Sequence, residues 1–133
     1  MSPSAVSVLV VDDSGVARKR LASLLEEFGY GVVGFAADGA EAVAMFQSLR
    51  PDLVTMDITM PGMDGIAATS QIMEAHPSAV IVVVSSHGQE SMVLDALDAG
   101  AKDYIVKTVE KEALRTALRK VVARHIPNPR GSA

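Results

Sequence analysis

Cysteine is absent from the 133 residues, which removes disulfides, thiolate nucleophiles and cysteine-based zinc sites from consideration. No apolar run approaches the roughly 20 residues of a membrane span, and Met1 to Ala5 is too short and too polar for a signal peptide. The expectation is a cytoplasmic protein with no membrane insertion. Positive charge is also in short supply: 12 Lys and Arg against 16 Asp and Glu leave a net charge of −4. A nucleic-acid binder would carry a basic stripe, and none forms here. The nearest approach, Arg18, Lys19 and Arg20, fans out around a helix and reads as a solvated face. Tryptophan is missing too, so backbone NMR is the natural reporter of any conformational change. What the chain does have is apolar content, 49% of its residues, enough to bury the core of one domain.

Short apolar runs alternate with helical periodicity five times. The runs Val6 to Val11, Val32 to Phe35, Leu53 to Met56, Val80 to Val84 and Asp103 to Val106 read as strands. They are rich in β-branched residues and mostly continuous, as expected for strands covered on both faces. Ala17, Leu21, Leu24, Leu25 and Phe28 form one helical stripe, and Leu114, Ala117, Leu118, Val121 and Val122 another. Asp38 and Gly39 start the second helix, Pro51 follows its end, and Gly100 suits the close of the fourth. Strands alternating with helices imply parallel β-α-β units in a three-layer α/β/α sandwich. One domain over residues 1–125 is expected, with 126–133 a flexible C-terminal tail rich in Pro and Gly.

Ligands of such a sheet bind beyond the carboxyl ends of its strands. There the first strand finishes at Asp12 and Asp13, the third at Asp57, the fourth at Ser85 and Ser86, and the fifth at Lys107. Either aspartate of the pair alone could merely cap the helix that follows. Three converging carboxylates repel one another and call for a cation. Their all-oxygen character suits Mg²⁺. Asp57 is then the natural nucleophile, with Mg²⁺ held by Asp12 and Asp13 on one side and Lys107 on the other. The Ser85 hydroxyl is a candidate donor to a phosphoryl oxygen.

The segments around Asp12-Asp13, Met56 to Gly65, Val84 to Ser86 and Ala99 to Lys107 together resemble the receiver-domain (CheY-like) family of two-component response regulators. The resemblance runs from Val6 to about Arg124 and is nearest to chemotaxis-type single-domain receivers. It implies a flavodoxin-like doubly wound sheet of five parallel strands in the order 2-1-3-4-5. It also implies Mg²⁺-dependent phosphotransfer onto Asp57 from a histidine kinase or histidine phosphotransfer protein. In that frame Asp13 and the Thr59 backbone carbonyl bind Mg²⁺ alongside Asp57, and Asp12 acts through water. Ser85 and Tyr104 become a switch pair that alters the face of the fourth helix, fifth strand and fifth helix, where a downstream protein would dock. Thr59 and His87, two positions past Asp57 and Ser85, are expected at the mouth where an attacking water enters, and so to set phosphoryl lifetime. The protein would be regulatory rather than an enzyme, assisting only its own phosphotransfer and autodephosphorylation.

Other readings fit less well. An aspartate-nucleophile phosphatase would want a second acid where Thr59 stands, and a flavin carrier would not put Asp12 and Asp13 against a phosphate. A phosphorelay intermediate, or a receiver module detached from a larger regulator, remains the alternative within the switch class. The series Gly29, Gly31, Gly34 matches a dinucleotide fingerprint in spacing, but it follows a helix and opens a strand, the wrong polarity. His76 is expected at a solvated helix end and His125 in the fraying tail; Met56, Met60, Met63 and Met73 read as packing. One departure from the family stands out: Thr108 follows Lys107 where proline is usual. The peptide between them is expected to be trans, because a cis bond before threonine costs about 2.5–4 kcal/mol.

Overall fold

The strand runs become one parallel sheet because helices cover it from both sides. The computed structural model describes residues 5–86, 90–107 and 110–126. In chain order these form β1 (Ser7–Val11), α1 (Gly15–Glu27), β2 (Gly31–Ala36), α2 (Gly39–Leu49) and β3 (Leu53–Met56). There follow α3 (Gly65–Ala75), β4 (Ile81–Ser85), α4 (Glu90–Asp98), β5 (Asp103–Val106) and α5 (Lys111–His125). The sheet runs β2-β1-β3-β4-β5, the order the resemblance implies. All pairs are parallel.

Alternating side chains divide the core in two. Val8, Val10, Leu53, Val82, Val84 and Ile105 face Leu25 of α1 and Leu114, Leu118 and Val121 of α5. Leu9, Val11, Val54, Met56 and Ile81 face Ala42 and Phe46 of α2 and Ala68 and Ile72 of α3. On this second face Val83, Ile58 and Ala101 pack with Ala96 of α4. The central strands β1, β3 and β4 are buried along their whole length, which is why their sequences are continuous apolar runs.

Helix starts follow local chemistry. Ser14, Asp38 and Asp64 each accept a hydrogen bond from the amide three residues on, capping α1, α2 and α3. Gly100 follows α4 with φ of 114°, as its position in the sequence requires.

Three expectations need correcting. His125 is the last residue of α5 rather than part of a tail. His76 is not merely solvated: its ring lies 5.0 Å from that of Phe46, and its Nε2 is 2.8 Å from Gln47 Oε1. The edge strand β2 also departs from a strand covered on both faces, with Val33 44% and Phe35 45% exposed. The expected tail beyond Ile126, and the Lys107–Thr108 peptide, lie outside the described residues. Among the described residues no helix is long and apolar enough to cross a membrane.

Two buried hydroxyls, Thr55 Oγ1 on β3 and Thr69 Oγ1 on α3, have no hydrogen-bond partner among the described residues. A buried polar group left unpaired costs about 1–3 kcal/mol. Thr55→Val keeps the shape and removes the hydroxyl, so it should raise stability by about 1 kcal/mol in urea unfolding. A lowered midpoint would mean that the hydroxyl is bonded after all.

Candidate functional site

The site is built on backbone that cannot easily move. Strand hydrogen bonding continues one residue past the sheet at each rim position. The Asp12 amide donates to the Ala36 carbonyl at 3.0 Å, the Asp57 amide to the Val11 carbonyl at 2.9 Å, and the Lys107 amide to the Ser85 carbonyl at 2.7 Å. These contacts place Asp12, Asp57, Ser85 and Lys107 at the carboxyl ends of four different strands, beside the point where strand order reverses.

On that rim, one carboxylate oxygen from each of Asp12, Asp13 and Asp57 lies within 4.8 Å of the other two. Asp12 and Asp57 are buried, at 4% and 5% exposure, and Asp13 is exposed. The Lys107 ammonium reaches into the group, with Nζ 2.5 Å from Asp12 Oδ2 and 3.7 Å from Asp57 Oδ1. Asp12 is partly occupied locally, since its Oδ1 accepts from the Ser14 amide at 2.9 Å. The helix-capping explanation therefore accounts for one lone pair of Asp12. It does not account for Asp13 or Asp57.

Burial raises the pKa of Asp57 from its ordinary 3.8 to about 6. Repulsion from Asp12 adds to the rise, as does Asp13; Lys107 and a hydrogen bond from the Ile58 amide pull the other way.

The remaining expected residues are distributed as follows. Ser85 is fully buried at the end of β4. Tyr104 pairs with Val83 on β4, two residues back from Ser85 and so on the same face of the sheet. It is half-buried against the α4 side of the core. Thr59 is exposed just past Asp57. His87 lies outside the described residues.

Arg18 differs from the solvated-face reading: its guanidinium donates to the Asp12 backbone carbonyl at 2.7 Å. That contact fastens α1 to the rim. The available signal was position, because Arg18 sits one turn past the Ser14 cap and can reach back over the helix start. A groove of about 700 Å³ opens between α1 and α5, from Asp12 and Lys107 to Leu24 and Leu114.

An acidic crevice past the carboxyl ends of a 2-1-3-4-5 parallel sheet, with Lys107 aimed into it, defines a doubly wound α/β domain with an acidic site at its switch point. Residues 8–119 match the family model of the response regulator receiver domain, and the chain belongs to that family. It is 48% identical to the chemotaxis protein CheY of Thermotoga maritima over 114 residues, spanning 86% of this chain and 95% of that protein. It is 53% identical over 104 residues to a protein-glutamate methylesterase/protein-glutamine glutaminase of Alkalilimnicola ehrlichii, covering 77% of this chain and 27% of that protein. Among solved structures, a CheX-CheY-BeF3-Mg²⁺ complex from Borrelia burgdorferi superposes with a TM-score of 0.81. The two share 39% identity, over 90% of this chain and 88% of that one.

The raised pKa of Asp57 has a thermodynamic consequence. Between about pH 4 and pH 6 the folded protein keeps a proton on Asp57 that the unfolded chain has released. Stability should therefore fall as pH rises through this window. In EDTA, Asp57→Asn should be about 1–3 kcal/mol more stable than wild type near pH 7.5, with the gap closing toward pH 4. Denaturant melts across this range would refute the assignment if the gap stayed flat.

Proposed function

We propose that this receiver domain accepts a phosphoryl group on Asp57 from the phosphohistidine of a kinase or phosphotransfer protein. The observation that carries the reading is the convergence of Asp12, Asp13 and Asp57 with Lys107 on one rigid rim. A carboxylate oxygen of Asp57 attacks phosphorus, the phosphorus–nitrogen bond of the donor breaks, and the imidazole leaves with its electron pair. The product is an acyl phosphate on Asp57.

The oxygen-only donor set fits Mg²⁺. Asp13, Asp57 and the Thr59 carbonyl would hold the ion, with Asp12 acting through water. When bound, it neutralises charge gathering on the phosphoryl oxygens. Lys107 supplies positive charge from the protein itself, and its ammonium already lies within reach of Asp57. The Ser85 hydroxyl donates to a phosphoryl oxygen.

Drawing Ser85 toward the new group lets Tyr104 turn inward from its half-buried position. The phosphorylated state then has contacts the other lacks, as any population shift requires. Output passes through the face of α4, β5 and α5 to a protein partner. On that route α4 exposes Leu94 and Leu97. Thr59 and His87 tune how long the acyl phosphate survives attack by water. The protein acts in the cytoplasm as a regulator rather than as an enzyme on other substrates.

A chemotaxis-type output is favoured by relatives that this chain matches nearly end to end and that bear that name. A module of a longer regulator is the second reading, supported by the methylesterase of which the matched region is about a quarter.

Acetyl phosphate with Mg²⁺ should add one phosphate to wild type and none to Asp57→Asn, read by intact mass. Labelling that persists in the variant would move the nucleophile elsewhere. Beryllium fluoride with Mg²⁺ should shift the amides around Tyr104 as well as those of the rim. Shifts confined to the rim would remove the switch from the scheme.

A further inference from the structure

Gly39 opens α2, where alanine is the better helix former. Its φ is not among the positive values, so the backbone conformation does not call for glycine. The reason lies across the chain. A Cβ on Gly39 would fall 2.5 Å from the Met63 carbonyl oxygen and 2.9 Å from Met63 Cβ and Cγ. Met63 belongs to the loop from Ile58 to Asp64 that joins Asp57 to α3, and this loop carries Thr59.

The loop is closed at its base. The Gly65 amide donates to the Ile58 carbonyl at 2.9 Å, and a Cβ on Gly65 would collide with the Asp57 carbonyl. At its far end the loop turns at Gly62, with φ of 72°, and then meets Gly39. The first turn of α2 is itself braced: Asp38 Oδ1 accepts from the Glu41 amide at 2.8 Å, and Glu41 Oε1 accepts from the Ala37 amide at 3.0 Å. The strand end before it is tied to Asp12 through the Ala36 carbonyl.

We propose that Gly39 is a positioning residue for the metal site, a seat on which the Ile58–Asp64 loop rests and which fixes the height of the Thr59 carbonyl. Mg²⁺ tolerates little departure from octahedral geometry, so a backbone oxygen pushed off its place weakens binding. The inference rests on the Mg²⁺ reading above.

The test is an Mg²⁺ titration of the isotope-labelled full chain, read on the amides of residues 57–60 and 62–64. Gly39→Ala should shift those amides before any metal is added, and should weaken Mg²⁺ by about tenfold. Gly34→Ala is the control. Its Cβ also presses on α2, but against the movable ends of Leu49 and Met45, each at 2.8 Å. It should leave Mg²⁺ affinity within about twofold of wild type. If Gly39→Ala does not fold, Met63→Gly, which strips Cβ and Cγ from the contact and loosens the loop at the seat, should weaken Mg²⁺ severalfold. Unchanged affinity in the folded variant, or an equal loss in Gly34→Ala, overturns the proposal. A wild type that binds no Mg²⁺ would instead sink the functional reading. The seat would then stand or fall on the metal-free amide shifts of the two glycine variants.

Discussion

Three carboxylates brought together on one rim set the terms for everything else in this molecule. The backbone of Asp12 and of Asp57 is tied to a neighbouring strand, and both side chains are buried. Their repulsion is offset at one point by the Lys107 ammonium and otherwise stays in the fold, adding to the burial that raises the pKa of Asp57. A site arranged this way is unfavourable by itself and becomes favourable when positive charge arrives. That is how binding energy for a cation can be stored in a protein in advance.

The same bonds that hold the acids also connect them to the rest of the sheet. Lys107 touches the acids through its side chain and Ser85 through its amide, so one residue links the chemistry of β1 and β3 to β4 and β5. Arg18 does the equivalent for α1, and Gly39 stands in contact with the loop after β3. Asp57 is thus connected to elements on both faces of the sheet through contacts one or two residues deep.

Most of the fold was legible in the sequence because period and punctuation agree. The runs at Leu53 to Met56 and Asp103 to Val106 are strands to the residue, and Asp38 and Gly100 mark a helix start and end as their chemistry predicts. The rim residues were legible for a topological reason, since parallel strands present all their carboxyl ends on one side. The misses differ in cause: Arg18 reaches back over its own helix start to a carbonyl six residues away, whereas His76 meets partners distant in sequence. Arg18 looked solvated until the Asp12 carbonyl lay beneath it, and His76 looked terminal until Phe46 and Gln47 came alongside. Gly39 read as a helix start, and nothing local reveals the Met63 carbonyl against it. The exposure of β2 follows from its place at the edge of the sheet, which periodicity does not encode.

That edge is also irregular. Val8 pairs with Val32 and Leu9 with Gly34, so Val33 is an extra residue in the ladder. An open strand edge is a template onto which another chain can add, and here it carries two partly exposed apolar side chains, Val33 and Phe35. The extra residue breaks the even spacing of the free amides and carbonyls and twists the strand locally. An incoming strand cannot stay in register past it. A chain that is half apolar is thereby discouraged from growing sheet to sheet with its own copies, at the edge farthest from β5.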